Sequence, residues 1–129
     1  MKTLIVEDDF TCRTWLRGLL KKLGFQVVAE ATNGAEAAEA ALRTQPDLVL
    51  LDVSMPFQTG PQALPAILAA CPGAQVVMLT SIADQATVVE CLNKGATGYL
   101  RKDAPIEEIN RYLMQLHAEF TAHHPPATP

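Results

Sequence analysis

Residues 3–10 read TLIVEDDF. A short apolar run passes directly into three consecutive carboxylates, Glu7, Asp8 and Asp9. A brief, continuous apolar run of this kind suits a strand buried on both faces. Such a strand needs helices above and below it, and parallel neighbours reached by crossover connections. The three acids at its end repel one another unless a positive charge sits among them. A solvated acidic loop that caps the next helix is one reading of the run, since Asp is a good N-cap. A cation site is the other.

Reading outward, the same pattern recurs. After the acids, Trp15, Leu16, Leu19, Leu20 and Leu23 fall at helical spacing, and Gly24 ends the stripe. FQVVAEA at 25–31 reads as a second strand, and Asn33 caps an Ala-rich helix that Pro46 closes. DLVLLD at 47–52 is a third strand, PQALPAILAAC at 61–71 a helix, QVVMLT at 75–80 a fourth strand. ADQATVVECLNKG at 83–95 is a further helix, TGYL at 97–100 a fifth strand. A last helix starts near Pro105, with Ile106, Ile109, Leu113, Leu116 and Phe120 on one face. Residues 1–120 are expected to form one domain, and 121–129 a Pro-rich flexible tail or the start of a linker. Five strands alternating with five helices predict an α/β, doubly wound (βα)5 architecture with a parallel sheet.

The composition is consistent with this. Of 129 residues, 49% are hydrophobic and 19% charged, which is globular rather than disordered. A net charge of −4 gives no electrostatic footprint for DNA or for an anionic membrane. No apolar run reaches spanning length and no signal-peptide core is present. Cys12, Cys71 and Cys91 fit neither a metal spacing nor a disulfide framework, so a cytoplasmic location is expected.

In doubly wound sheets, function collects at the carboxyl ends of the strands. There the chain would gather Glu7, Asp8 and Asp9 from the first strand, Asp52 from the third, Thr80 and Ser81 from the fourth, and Lys102 after the fifth. Carboxylates, a hydroxyl and an ammonium are the equipment for a divalent metal and a phosphoryl group. Mg²⁺ prefers one or two carboxylates plus waters and phosphate oxygens. Asp8 and Asp52 could bind it directly, with Glu7 holding a coordinated water. Asp52, at the end of a central strand, is best placed to attack phosphorus and form an acyl phosphate. The metal and Lys102 would offset the anion–anion repulsion, and Thr80 would donate to a phosphoryl oxygen.

At these residues the chain resembles the receiver domain of two-component response regulators, the CheY-like family. The matching pieces are LIVEDD, PDLVLLDVSMP, VVMLTS and GATGYLRKDAPIEEI, in order from about Lys2 to Leu116. The last piece is most like the NarL/LuxR-type class. The resemblance implies a flavodoxin-like sandwich with strand order 2-1-3-4-5. It implies Asp52 as phosphoacceptor, Glu7 and Asp8 as the acidic pair, and the backbone carbonyl of Ser54 as a ligand for Mg²⁺, with Mn²⁺ as the alternative ion. Thr80 and Lys102 become phosphoryl contacts, and Thr80 with Tyr99 the switch pair. The side chains of Ser54 and Ile82 would border the approach of the hydrolytic water. The implied partner is a sensor histidine kinase or phosphotransfer protein, with a phosphorylation-dependent homodimer as an option. The chain itself is not expected to bind DNA or a membrane, although this class usually carries a DNA-binding output domain beyond a linker.

Some positions depart from the family pattern. The loop after Met55-Pro56 runs Phe57-Gln58-Thr59-Gly60 instead of ending in the frequent Asp-Gly or Asn-Gly, and Asp103 replaces the frequent Pro after the lysine. Pro65 falls inside the third helix, so that helix is expected to start late or to kink. Two other readings stay open. One is a phosphorylation-independent interaction module on the same fold. The other is a haloacid-dehalogenase-type phosphatase, which wants an Asp where this chain has Ser54. His117, His123 and His124 read as solvated.

Overall fold

The computed structural model describes residues 1–55, 58–81 and 85–123. Ile82, His124, Pro56 and Phe57 lie outside these. Five strands, β1 (Lys2–Val6), β2 (Gln26–Ala31), β3 (Leu48–Asp52), β4 (Gln75–Thr80) and β5 (Gly98–Arg101), alternate with five helices. The helices are α1 (Phe10–Lys22), α2 (Gly34–Thr44), α3 (Gly60–Ala70), α4 (Gln85–Asn93) and α5 (Ile106–His123). All strand pairs are parallel, as the apolar runs predicted, and the order is β2-β1-β3-β4-β5, as the resemblance implied.

The alternation of side chains along each strand divides the core in two. Leu4, Val6, Val49, Leu51, Val76 and Met78 pack under α2, α3 and α4. Ile5, Leu48, Leu50, Val77, Leu79 and Leu100 pack under α1 and α5. All five residues of β3 are buried, which is why LVLLD reads as continuous rather than alternating. β1 and β3 are therefore central, and their carboxyl ends are fixed from both faces.

Several local expectations are revised. Trp15 was grouped with the buried stripe of α1, but it is partly exposed while Leu16 and Leu20 are buried. Ile106 likewise faces outward while Ile109, Leu113 and Leu116 face in. α5 runs to His123, three residues into the stretch expected as tail. α3 does not start late: it begins at Gly60, held by a reciprocal capping box between Thr59 and Gln62. Pro65 lies within it, and Pro61 takes an early position where its missing N–H is harmless.

Gly60 ties the fold to the chemistry. Its N–H donates to the Val53 carbonyl at 2.9 Å. A Cβ built there would lie 2.4 Å from the Asp52 carbonyl oxygen and 3.0 Å from Val53 Cα. The first turn of α3 can press onto the end of β3 only because this residue has no side chain. Gly60→Ala should lower stability by about 2 kcal/mol through overpacking, and should shift the backbone resonances of Asp52 and Val53. Urea titration and ¹⁵N NMR would check both.

Candidate functional site

The β1 end is built by backbone hydrogen bonds. The Glu7 amide donates to the Ala31 carbonyl at 3.0 Å, continuing the β1–β2 ladder one residue past Val6. Asp9 caps α1, its carboxylate accepting from the Cys12 amide at 2.9 Å. Asp9 is thus engaged as a cap, and Glu7 and Asp8 are the acids turned to other use.

Asp52 ends β3 one strand away, and the carboxylates of Glu7, Asp8 and Asp52 lie within 4.8 Å of one another. Glu7 and Asp52 are buried and Asp8 is exposed. Lys102 comes from the turn after β5, whose backbone is set by its own amide donating to the Thr80 carbonyl at 2.8 Å. Its Nζ stands 2.5 Å from Glu7 Oε2 and 3.3 Å from Asp52 Oδ1. The positive charge that the three acids require is this ammonium. The other oxygen of Glu7 accepts from the Asp9 amide at 3.2 Å, and Asp52 accepts from the Ser54 amide at 3.2 Å.

Burial, and then the neighbouring Glu7 carboxylate, push the Asp52 carboxyl up to about 7; Lys102 and the Ser54 amide pull the other way. For Lys102, burial disfavours the ammonium, but the Glu7 hydrogen bond and the charges of Asp52 and Glu7 outweigh it, and the net shift is upward. The half-buried Cys12 thiol is pushed up to about 11, by burial first and then by Glu7. Beside the site, these effects favour its protonated form.

Thr80 is buried at the end of β4. Tyr99 pairs in register with Met78 and Arg101 with Thr80, so Tyr99 shares a sheet face with Thr80, one pair further back. Tyr99 is half exposed and borders a cavity of about 500 Å³ with Arg101, Asp103, Pro105, Glu108 and Tyr112. Arg101 and Asp103 form a two-point pair at 3.0 and 2.7 Å that spans Lys102 in sequence.

The structure thus brings together Glu7, Asp8, Asp52 and Lys102, with Ser54 against Asp52 and Thr80 on the neighbouring strand. Ile82 is outside the described residues. Sequence reasoning missed the reach of Arg13 from α1, whose Nη1 donates to the Glu7 carbonyl at 2.9 Å. A cation in the first turn of a helix, against the helix dipole, was the available signal. Among the described residues no helix is long and apolar enough to cross a membrane.

Residues 3–114 match the family described as response regulator receiver domain. The chain is 40% identical over 102 residues to the chemotaxis protein CheY of Listeria monocytogenes, covering 79% of this chain and 86% of that one. It is 37% identical over 119 residues to the transcriptional regulatory protein LnrK of Bacillus subtilis, covering 92% of this chain but 54% of LnrK. The chain therefore spans about half the length of that regulator. Its backbone resembles the receiver domain of the sensor histidine kinase PA1611 from Pseudomonas aeruginosa, with a TM-score of 0.76 and 29% identity over 88% of this chain and 94% of that one. That structure holds a magnesium ion coordinated in its active-site cleft.

The Asp52 shift has a stability consequence whose sign is fixed. Between the ordinary value of 3.8 and about 7, the unfolded chain loses a proton that the folded chain keeps. Stability therefore falls as pH rises through that window, and the penalty is complete above it. Asp52→Asn should stabilise the protein by about 2 kcal/mol at pH 8. The gain should shrink steadily as pH falls towards 4. Urea titrations of both proteins across this range would check the size and direction.

Proposed function

The chain belongs to the response regulator receiver domain family, and from that premise we propose that it is a phosphorylation-controlled switch. Asp52 accepts a phosphoryl group from a sensor histidine kinase or phosphotransfer protein. The observation that carries this reading is the placement of Lys102 Nζ between Glu7 and Asp52, with Asp8 completing the acidic edge.

The donor set fits a small hard cation: three carboxylates and, among the described residues, no soft ligand in the cluster, with the single Lys102 ammonium offsetting only part of their charge. Asp8, Asp52 and the Ser54 carbonyl would hold Mg²⁺ or Mn²⁺, with Glu7 reaching it through water. When bound, the metal would supply charge neutralisation for the incoming phosphoryl oxygens.

The remaining work falls to the chain's own residues. Asp52 must be ionised to attack, so its burial-raised affinity for a proton has to be overcome as the phosphoryl donor arrives. An Asp52 carboxylate oxygen forms the new bond to phosphorus. The bond from phosphorus to the donor's imidazole nitrogen breaks, and the imidazole leaves with that electron pair. Lys102 exchanges its contact with Asp52 for a phosphoryl oxygen while Glu7 keeps it oriented, and Thr80 donates its hydroxyl to another.

Engagement of Thr80 would favour a second packing in which Tyr99 turns inward, a population shift limited by the contacts that differ between the two packings. The surface that would change is α4–β5–α5, where Val89, Leu92, Tyr99 and Ile106 are exposed. On this reading that face docks a partner, an output domain or a second copy of the chain. Ser54, small and exposed, would be too short to orient the attacking water at Asp52, so the acyl phosphate would be lost slowly. The chain is then a cytoplasmic signalling component that promotes its own phosphorylation and dephosphorylation, not an enzyme acting on a separate substrate.

Incubation with acetyl phosphate or phosphoramidate and Mg²⁺ should add one phosphoryl group, seen by intact-protein mass. Asp52→Asn and Asp8→Ala should each abolish it, and so should chelation of the metal. Lys102→Ala should lower the yield or rate by a factor of about 100 or more. A wild-type chain that takes no phosphoryl group would instead favour the phosphorylation-independent interaction module. With beryllofluoride, resonances around Tyr99 and residues 86–93 should shift along with those of Asp52.

A further inference from the structure

The acidic corner at the end of β1 is held from outside by one side chain. Arg13 lies in the first turn of α1. Its Nη1 donates to the Glu7 backbone carbonyl at 2.9 Å, and its Nε stands 3.3 Å from Glu30 Oε1 on β2. Its guanidinium carbon lies 5.7 Å from the centroid of the Phe10 ring. Both members of the ion pair are largely covered, with side chains 17% and 23% exposed.

This position is unfavourable for a cation unless other contacts offset it. The start of a helix carries the positive end of the dipole, and the carboxylate nearest it, the Asp9 cap, is engaged by the Cys12 amide. Glu30 does not depend on Arg13 for a partner, because Arg17 reaches its Oε2 at 2.9 Å from the next turn. Among the described residues, the side-chain bond to the Glu7 carbonyl comes from Arg13. That carbonyl belongs to the peptide joining Glu7 to Asp8, so its direction sets how both carboxylates leave the strand. The planar fork of arginine spans the carbonyl and the Glu30 carboxylate at once, which an ammonium cannot do.

We propose that Arg13 is a positioning residue for the metal site. By tying the Glu7 carbonyl to Glu30 on β2, it orients the Glu7–Asp8 peptide so that both carboxylates face Asp52. The role rests on the metal-dependent reading given under Proposed function. It adds a supporting contact, drawn from α1 and the edge strand, to the residues that face the ion.

The sign of the effect separates positioning from charge. Arg13 is a cation near a cation site, so if it acted only through its charge, removing it would tighten Mg²⁺ binding. If it positions the ligands, removing it weakens binding, by about tenfold as is usual for partners that orient metal ligands. The experiment is a Mg²⁺ titration followed by ¹⁵N NMR of the residue 7–12 amides, for the wild type, Arg13→Met, Arg13→Lys and Glu30→Gln. Thermal unfolding is measured on the same samples.

Arg13→Met should bind Mg²⁺ about tenfold more weakly. Arg13→Lys should also be weakened, although it keeps the charge. Glu30→Gln should fall between Arg13→Met and wild type. Saturating Mg²⁺ should restore the acetyl phosphate labelling rate of Arg13→Lys to nearly that of wild type, because only the ligand geometry has been loosened. Unchanged or tighter binding in Arg13→Met would overturn the proposal while leaving the metal site intact. So would binding losses that merely track lost thermal stability across the variants, or a labelling rate that Mg²⁺ does not restore. A wild-type chain whose 7–12 amides do not respond to Mg²⁺ would overturn the metal reading itself, and this role with it.

Discussion

The Lys102 ammonium between Glu7 and Asp52 is the interaction on which the rest of this edge depends. Glu7 and Asp52 are among the few buried polar residues described, and both sit at the carboxyl ends of central strands. Two buried carboxylates this close are unfavourable without a cation, so losing the ammonium would leave both uncompensated, whereas neutralising Asp52 relieves the crowding and leaves Lys102 its partner Glu7. The ammonium makes the pair tolerable but does not make it comfortable: burial and the Glu7 charge still raise the proton affinity of Asp52. The site is therefore under electrostatic load, and what relieves that load is positive charge or the loss of negative charge. On the reading proposed above, an acyl phosphate on Asp52 would add further negative charge to this edge, so its formation would call for a bound cation beside Lys102.

The same edge is stiff where it must be. β1 and β3 are pinned from both faces by the two halves of the core. Gly60 lets α3 press against the Asp52 carbonyl, and Arg13 ties the Glu7 carbonyl to β2. Lys102, by contrast, rides on a short turn whose backbone is fixed by Thr80 and whose flanks are joined by the Arg101–Asp103 pair. On the proposed function, a rigid acidic floor and a cation on a well-anchored turn would let the ammonium change partners without disturbing the strands. The half-exposed Tyr99 and the cavity beside it adjoin this turn.

Much of this was legible in the residues. TLIV, DLVLLD and QVVMLT had to be buried parallel strands, because continuous apolar runs of that length have no polar face to give to water. The acids, the hydroxyl and the lysine then fell at strand ends, and strand ends of a doubly wound sheet share one edge. Errors arose where periodicity alone was used. Trp15 and Ile106 match the helical stripe but lie near its margin, where a residue is as easily turned outward as inward. Pro65 argued for a late helix start, yet the Thr59–Gln62 capping box at the true start outweighed it.

The order and spacing of the chain by themselves determined the layers of this protein and the identity of the residues at its carboxyl edge, because strand burial and side-chain type are local properties. The contacts that make those residues a site were decided only by the tertiary structure. Lys102 meets Glu7 across 95 positions of sequence, Gly60 presses on a carbonyl rather than on a side chain, and Arg13 reaches back to a peptide group. None of these can be read from a spacing. Each depends on the distance between elements once the core has closed, and on backbone atoms that every residue carries alike.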